Sequence, residues 1–328
     1  MPHHDASREP SLAHDAALGR IVFVAPRRGE RPSDAELAAH GGGCPFCVGN
    51  ESLTPPAVLQ VPAGPARSWR GRIVPNRYPV VEDASPAGDP GPPGRRTARG
   101  VHDVVIESAA HLTTVAAVEP ERWREIWQLC HARLAMLAER DDLVWSTIFK
   151  NSGPLAGASL EHLHSQIVAL DFVPPFLESE LALLTTAADH FAALIDSARI
   201  DERIVAETDG LVALVPPAPR QPFETWIIPA AADPFFHATT PARVAALAAL
   251  THWFVSRLAA IAPGTDYNWW LHQLPHRRGS VRPDVAAAWH WHLEIVPRHG
   301  QLAGFELGTG CHITTVAPRE SARLLRSG

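Results

Sequence analysis

The sequence predicts a duplicated α+β unit, and two observations carry that prediction. An order of strand, strand, helix, strand, loop and strand occurs twice along the 328 residues. Each copy also closes on a strand bearing His-x-His-x-Gln/Glu, starting at His162 and at His290. Two unrelated strands of this kind in one chain would be a coincidence. The length suits one large domain or two fused halves, and 46% apolar residues supply a sizeable core.

The elements follow in chain order. Residues 1–18 are polar and predict a disordered tail, ahead of a first half over 19–175 and a second over 176–328. GRIVFVAPRRGERPSD reads as a strand followed by an Arg-rich loop, and GGGCPFC as a tight turn, since glycine bends freely. SWRGRIVPNRYPVV is a strand running into a loop at Asn76. Residues 83–100 are too rich in Pro and Gly for a regular element and predict a mobile surface loop. A strand over 101–108 precedes a helix over 119–140, where Trp123, Ile126, Trp127, Cys130, Leu134 and Leu137 recur at helical spacing and Pro120 suits the first turn. LVWSTIFKN is the next strand, then a Gly-rich loop leads to SLEHLHSQIVAL. In the second half a hairpin turns at Asp209-Gly210, 222–229 is a strand, 241–261 an Ala/Leu-rich helix and 267–272 a strand. Over 288–298, His290, His292 and Glu294 take one face of a strand and Trp291, Leu293 and Ile295 the other.

Bulk properties exclude several functions. A formal charge of −6 with no long basic run argues against nucleic acid as a main partner. No apolar run reaches the roughly eighteen residues of a membrane span, and the N-terminus lacks a signal-like apolar core. No membrane partner is therefore expected, and a cytoplasmic location is. There, a pair among Cys44, Cys47, Cys130 and Cys311 reads as a metal clamp rather than a disulfide.

Cys44-Pro-Phe-Cys47 bends two thiolates around one metal, and tetrahedral zinc needs two more ligands. With no second C-x-x-C present, the candidates are His102, His111 and His162. His162 and His164 lie about 6.6 Å apart along a strand, so one can bind metal while the other does chemistry. A neutral imidazole is a good nucleophile towards phosphorus. Gln166 cannot exchange a proton at neutral pH, but its amide N–H can hold a phosphoryl oxygen. The second cluster reads either as a solvated strand face or as a metal site completed by His272 and a carboxylate, with zinc or iron alike suited to it.

Taken together, CPFCVGNE, VPNRYP, FKNSGPLAGASLEHLHSQI, PFETWIIP, WHWHLEI and GFELGTG resemble the galactose-1-phosphate uridylyltransferase family of the histidine-triad superfamily, which includes ADP-glucose phosphorylase-like and dinucleotide phosphorylase branches. The resemblance runs from about residue 19 to the C-terminus. It implies two fused histidine-triad-like halves around a long, mainly antiparallel sheet with flanking helices, a homodimer, and a nucleotide passed from a nucleotide sugar to a sugar 1-phosphate through a nucleotidyl-histidine. By matching motif, His164 is the implied nucleophile and Gln166 the implied phosphoryl contact. Cys44, Cys47, His111 and His162 become the implied zinc ligands, and Glu180, His272, His290 and His292 the implied second metal site. Arg28, Arg31, Asn76, Asn151, Gly157 and Ser159 align with nucleotide and phosphate contacts, and Glu306 with a sugar-hydroxyl contact. The chain has His162-Leu163-His164 where the family usually has His-Pro-His, and His312 where the galactose branch has Gln. Galactose-1-phosphate uridylyl transfer is the expected activity; a phosphorylase using inorganic phosphate, or a non-catalytic nucleotide-binding zinc protein, are the alternatives.

Overall fold

The computed structural model describes residues 9–15, 20–34, 43–62, 69–83, 95–277 and 281–327. Along these the chain forms strands β1 (Ser11–Asp15), β2 (Arg20–Val24), β3 (Leu59–Val61), β4 (Gly71–Pro75), β5 (Arg95–Thr97) and β6 (Gly100–Ile106), then helix α1 (Pro120–Ala138). Strands β7 (Trp145–Ser152) and β8 (His164–Leu170) follow, with helices α2 (Pro175–Leu184) and α3 (His190–Ile200). Next come β9 (Ile204–Thr208), β10 (Leu211–Leu214), β11 (Thr225–Pro229), α4 (Pro241–Ile261), β12 (Tyr267–His272), α5 (Pro283–Ala288) and β13 (His292–Pro297). Helices α6 (Gly304–Thr309) and α7 (Pro318–Ser327) close the chain.

Ten strands form one antiparallel sheet in the order β3-β4-β6-β8-β7-β12-β13-β11-β10-β9. The order is a palindrome: five strands from each half meet at β7 and β12, so β8 and β13 occupy matching places on either side of the seam. Register aligns one row of side chains through Val74, Val104, Gln166, Phe149, Trp270, Glu294 and Trp226. Because side chains alternate along a strand, the whole row shares one face.

The other face is sealed. Ile148, Ile167, Trp269, Leu271, Leu293 and Ile295 meet the apolar stripes of α1 and α4 in one core. Thr251 of α4 accepts the indole N–H groups of Trp123 (2.9 Å) and Trp127 (3.1 Å), so two buried donors are satisfied where the helices cross. Helix α4 is long and apolar enough to span a membrane by composition, yet nine of its residues are buried, most of them in this core. On the row's face, α2, α3 and α5 share a core with Val212, Leu214 and Ile228 of the second half and with Trp145, Val168 and Leu170 of the first, while Val74, Val104 and Gln166 line a cavity.

Two expectations change. Ser11–Asp15, placed in a disordered tail, is a strand paired with both Arg20–Val24 and Arg95–Thr97. Arg95–Thr97 and Gly100 in turn belong to strands within the stretch predicted as a mobile loop. Residues 84–94 of that loop and 1–8 and 16–18 of the tail lie outside the described residues. Helices α2 and α3 go beyond the predicted elements.

Candidate active site

His164 opens β8 at the floor of a cavity of about 200 Å³ whose lining includes Arg31, Phe46, Asn76, Ser159 and Gln166. Its Nδ1 lies 2.7 Å from the His162 carbonyl oxygen. A carbonyl only accepts, so Nδ1 carries the proton and Nε2 is bare. Burial, then the nearby Lys150 ammonium, lower the His164 pKa to about 4, which keeps the ring neutral at physiological pH.

Gln166 is oriented by a residue the sequence reading placed among the zinc candidates. His102 Nδ1 accepts from the Val80 backbone N–H (3.1 Å), and burial lowers the His102 pKa to about 4. The neutral ring therefore carries its proton on Nε2, 2.9 Å from Gln166 Oε1. With its carbonyl occupied, Gln166 turns its NH₂ towards the cavity. His102 is thus a positioning residue and not a metal ligand.

On the helix side of the sheet, the chain's only lysine supports the same strand. Lys150 Nζ donates to the His164 carbonyl (2.7 Å) and to Glu107, whose other oxygen accepts from Ser165 Oγ (2.5 Å). Lys150 and Glu107 are each 1% exposed, so each is the other's obligatory counter-charge. The signal in the sequence is that the one lysine of the chain falls inside a strand.

Cys44, Cys47, His111 and His162 converge beside this site, with ligand atoms all within 4.8 Å of one another. His162 Nε2 donates to the Ser108 carbonyl (2.9 Å), which leaves Nδ1 bare 3.5 Å from Cys44 Sγ and 3.6 Å from Cys47 Sγ. His111 Nδ1 lies 3.4 Å from Cys47 Sγ. Tetrahedral zinc with Zn–S of about 2.3 Å and Zn–N of about 2.0–2.1 Å sets the S···N edge at about 3.6 Å. Burial raises the Cys44 thiol to about 11 in the absence of a cation. The donor set and its spacing therefore fit a divalent metal.

The second cluster forms from Glu180, His272, His292 and Glu294. His272 Nδ1 lies 2.9 Å from Glu180, and His292 Nε2 is buried without a hydrogen bond, 3.6 Å from Glu180 and 3.7 Å from Glu294. An orphaned ring nitrogen facing two carboxylates fits a cation. His290 does not join the four. It precedes β13, and its Nδ1 bonds the Pro229 carbonyl at 2.7 Å. Glu294, which alternation puts on the His292 face, takes the place the resemblance gave to His290.

The remaining predicted residues divide. Arg31, Asn76 and Ser159 line the cavity. Arg28 Nη1 donates to the Tyr78 carbonyl (3.1 Å), next to Asn76. Asn151 lines a groove that adjoins on the same face. Gly157 is left-handed (φ +83°) in the turn ahead of Ser159. Glu306 accepts from the Ala303 N–H on the exposed helix α6, and His312 is exposed beyond it; neither lines the cavity.

Comparison with known proteins gives this geometry a context. Residues 99–326 match the family described as "Domain of unknown function (DUF4921)". The ADP-glucose phosphorylase of Arabidopsis thaliana is 30% identical over 98% of this chain and 93% of its own. The galactose-1-phosphate uridylyltransferase of Thermotoga maritima is 27% identical over 93% of each. A crystal structure of an Arabidopsis thaliana ADP-glucose phosphorylase with bound ADP-glucose superposes with a TM-score of 0.76 at 30% identity, covering 98% of this chain and 99% of that one. The chain therefore belongs to the DUF4921 family and to the galactose-1-phosphate uridylyltransferase-like nucleotidyltransferases, and it is an enzyme of that class.

Proposed function

We propose that the protein is a nucleotide-sugar phosphorylase: it takes a nucleoside monophosphate from a nucleotide diphosphate sugar onto His164 and passes it to inorganic phosphate. The observation that carries this is the bare Nε2 of His164 at the cavity floor, its tautomer fixed by the His162 carbonyl. In the first step Nε2 attacks the α-phosphorus, an N–P bond forms, and the P–O bond to the sugar 1-phosphate breaks. In the second, a phosphate oxygen attacks the same phosphorus and Nε2 leaves, giving a nucleoside diphosphate. The leaving group in each step is stable without protonation, which suits an amide at position 166 rather than an acid. The Gln166 NH₂, fixed through His102, is placed to hold the transferred phosphoryl oxygen, and Arg31, Asn76 and Ser159 surround it.

Cys44, Cys47, His111 and His162 would hold zinc, and Glu180, His272, His292 and Glu294 a second ion, zinc or iron. Zinc at the first set would fix the segment that carries His162, whose carbonyl orients the nucleophile. A cytoplasmic setting keeps both thiols reduced. In a homodimer, the open apolar side chains Phe305, Leu307 and Ile313 around Glu306 and His312 are the surface for a second copy.

Phosphate as acceptor is favoured by the phosphorylase relative, which matches over nearly the whole of both chains. A hexose 1-phosphate acceptor is the second reading, favoured by the uridylyltransferase relative. Incubation with ADP-glucose or UDP-glucose, with phosphate or with a hexose 1-phosphate, separates them. Phosphate-dependent release of glucose 1-phosphate and a nucleoside diphosphate is expected. Turnover that requires a hexose 1-phosphate and ignores phosphate would overturn the phosphorylase reading.

A further inference from the structure

The groove beside the nucleophile runs across the seam between β7 and β12. It measures about 380 Å³, and Phe149, Asn151, Asn268, Trp270, His272 and Arg298 line it. Two arginines edge this region, and they are treated differently. Arg220 packs over Trp270 (5.0 Å) and is neutralised by both Glu224 (2.6 Å) and Glu294. Arg298 is half-buried and, among the described residues, pairs with no carboxylate. Its side chain makes one bond, from Nε to Asn268 Oδ1 (2.5 Å), so both terminal nitrogens keep their donors. Its backbone N–H is tied to the Asp266 carbonyl (2.7 Å), which fixes where the side chain departs. The Asp266 carboxylate offers no neutralisation, for it accepts the Leu155 N–H (2.6 Å) and lies against Gly153.

The amides extend the same pattern. Asn268 has both donors and its carbonyl engaged: Oδ1 accepts from Arg298, and Nδ2 donates to Asn151 Oδ1 (2.7 Å) and to the Ala156 carbonyl (2.9 Å). Asn151 must then present its own NH₂, for which the described residues offer no acceptor. Register puts Asn151 opposite Asn268 and two residues along β7 from Phe149, on the same face; Phe149 itself faces Gln166. Asn151 is therefore the neighbour of His164 across the β7–β8 ladder, and Asn268 stands one strand further, roughly 10 Å from β8 at the backbone. A half-buried guanidinium without a counter-charge and an unused amide donor converge on one groove beside the nucleophile. Groups of this kind are costly to bury unless an anion completes them.

We propose that Arg298, aimed by Asn268, holds the phosphate of the outgoing sugar phosphate and of the incoming acceptor beside Asn151, which the resemblance already aligns with a phosphate contact, at a point distinct from the Gln166 contact to the transferred phosphoryl group. Its role in turnover rests on the nucleotidyl-histidine reading, but its anion binding does not. Arg298 sets acceptor affinity and leaves the nucleoside monophosphate pocket alone.

The test uses the full chain. Wild type, R298Q and R298K are each loaded with nucleotide from ADP-glucose or UDP-glucose, and discharge is followed against inorganic phosphate concentration. R298Q should raise the KM for phosphate at least tenfold with a smaller change in kcat, R298K should recover part of that loss, and AMP or UMP should bind all three within twofold. An unchanged KM in R298Q would overturn the subsite. If R298Q does not fold, the R298K KM decides, a rise of threefold or more being expected. If wild type cannot be loaded at all, the transfer reading fails instead. The thermal shift produced by inorganic phosphate alone then decides the subsite: loss of that shift in R298Q, or its decrease in R298K, sustains it, and an identical shift in all three proteins, or none in wild type, removes it.

Discussion

Strands β8 and β13 place the same three-residue pattern at matching positions of a palindromic sheet and put it to different uses. In both, the second histidine bonds through Nδ1 to the carbonyl two residues back: His164 to His162 (2.7 Å) and His292 to His290 (3.1 Å). Both rings therefore present Nε2 to the same face. In β8 that nitrogen meets a cavity and the neutral amide of Gln166. In β13 it is buried between Glu294 and Glu180, the latter brought over by α2. The first histidines diverge too: His162 aims Nδ1 at two thiols, whereas His290 spends its Nδ1 on the Pro229 carbonyl. The repeat fixes the direction of a nitrogen. The third residue and the covering helix decide whether it opens on a cavity or lies between carboxylates.

The comparison makes predictions of decreasing size. His164→Gly should lower turnover by about 10⁴-fold or more with circular dichroism unchanged, since it removes the attacking atom. His292→Gly, the matched change, should leave turnover within about tenfold, because His292 does not line the cavity. Equal losses in the two variants would erase the distinction. Cys44→Ser should strip metal at the first cluster and lower both the melting temperature and activity, with metal content read by mass spectrometry. His102→Phe should lower kcat by about 10–100-fold by freeing Gln166 to rotate, without changing metal content. Glu294→Gln gives β13 the His-x-His-x-Gln pattern of β8; it should reduce second-site metal by about tenfold or more and leave the first site filled. The smallest signature is in pH. Burial holds the His164 pKa at about 4, so the neutral, attacking form persists above that value and is lost as pH falls through it. The acid limb of kcat/KM should then lie near pH 4; a limb near 6.5 would mean the ring is solvated.

Much of this was legible in residue order. Apolar spacing marks α1 and α4 to within about two residues of their ends, and alternation puts His292 and Glu294 on the face opposite Leu293 and Ile295. The C-x-x-C spacing pointed to a set of four metal-compatible side chains that His111 and His162 complete. What was not legible depended on distant partners. SLAHD has no apolar alternation; it is a strand because Arg20–Val24 and Arg95–Thr97 pair with it. His102 counts as a zinc candidate by residue type alone, and only the Val80 N–H and Gln166 reveal its role. Whether His290 or Glu294 reaches the second cluster depends on the Pro229 carbonyl, 61 residues away in sequence.

The central claim is that His164 Nε2 accepts the nucleotide. Intact-mass measurement after brief mixing with ADP-glucose and with UDP-glucose, without acceptor, tests it most directly. The account predicts a gain of one nucleoside monophosphate that maps to the peptide containing His164, disappears on adding acceptor, and is absent from His164→Gly. Full turnover with no adduct at any time, or an adduct on another residue, would contradict it.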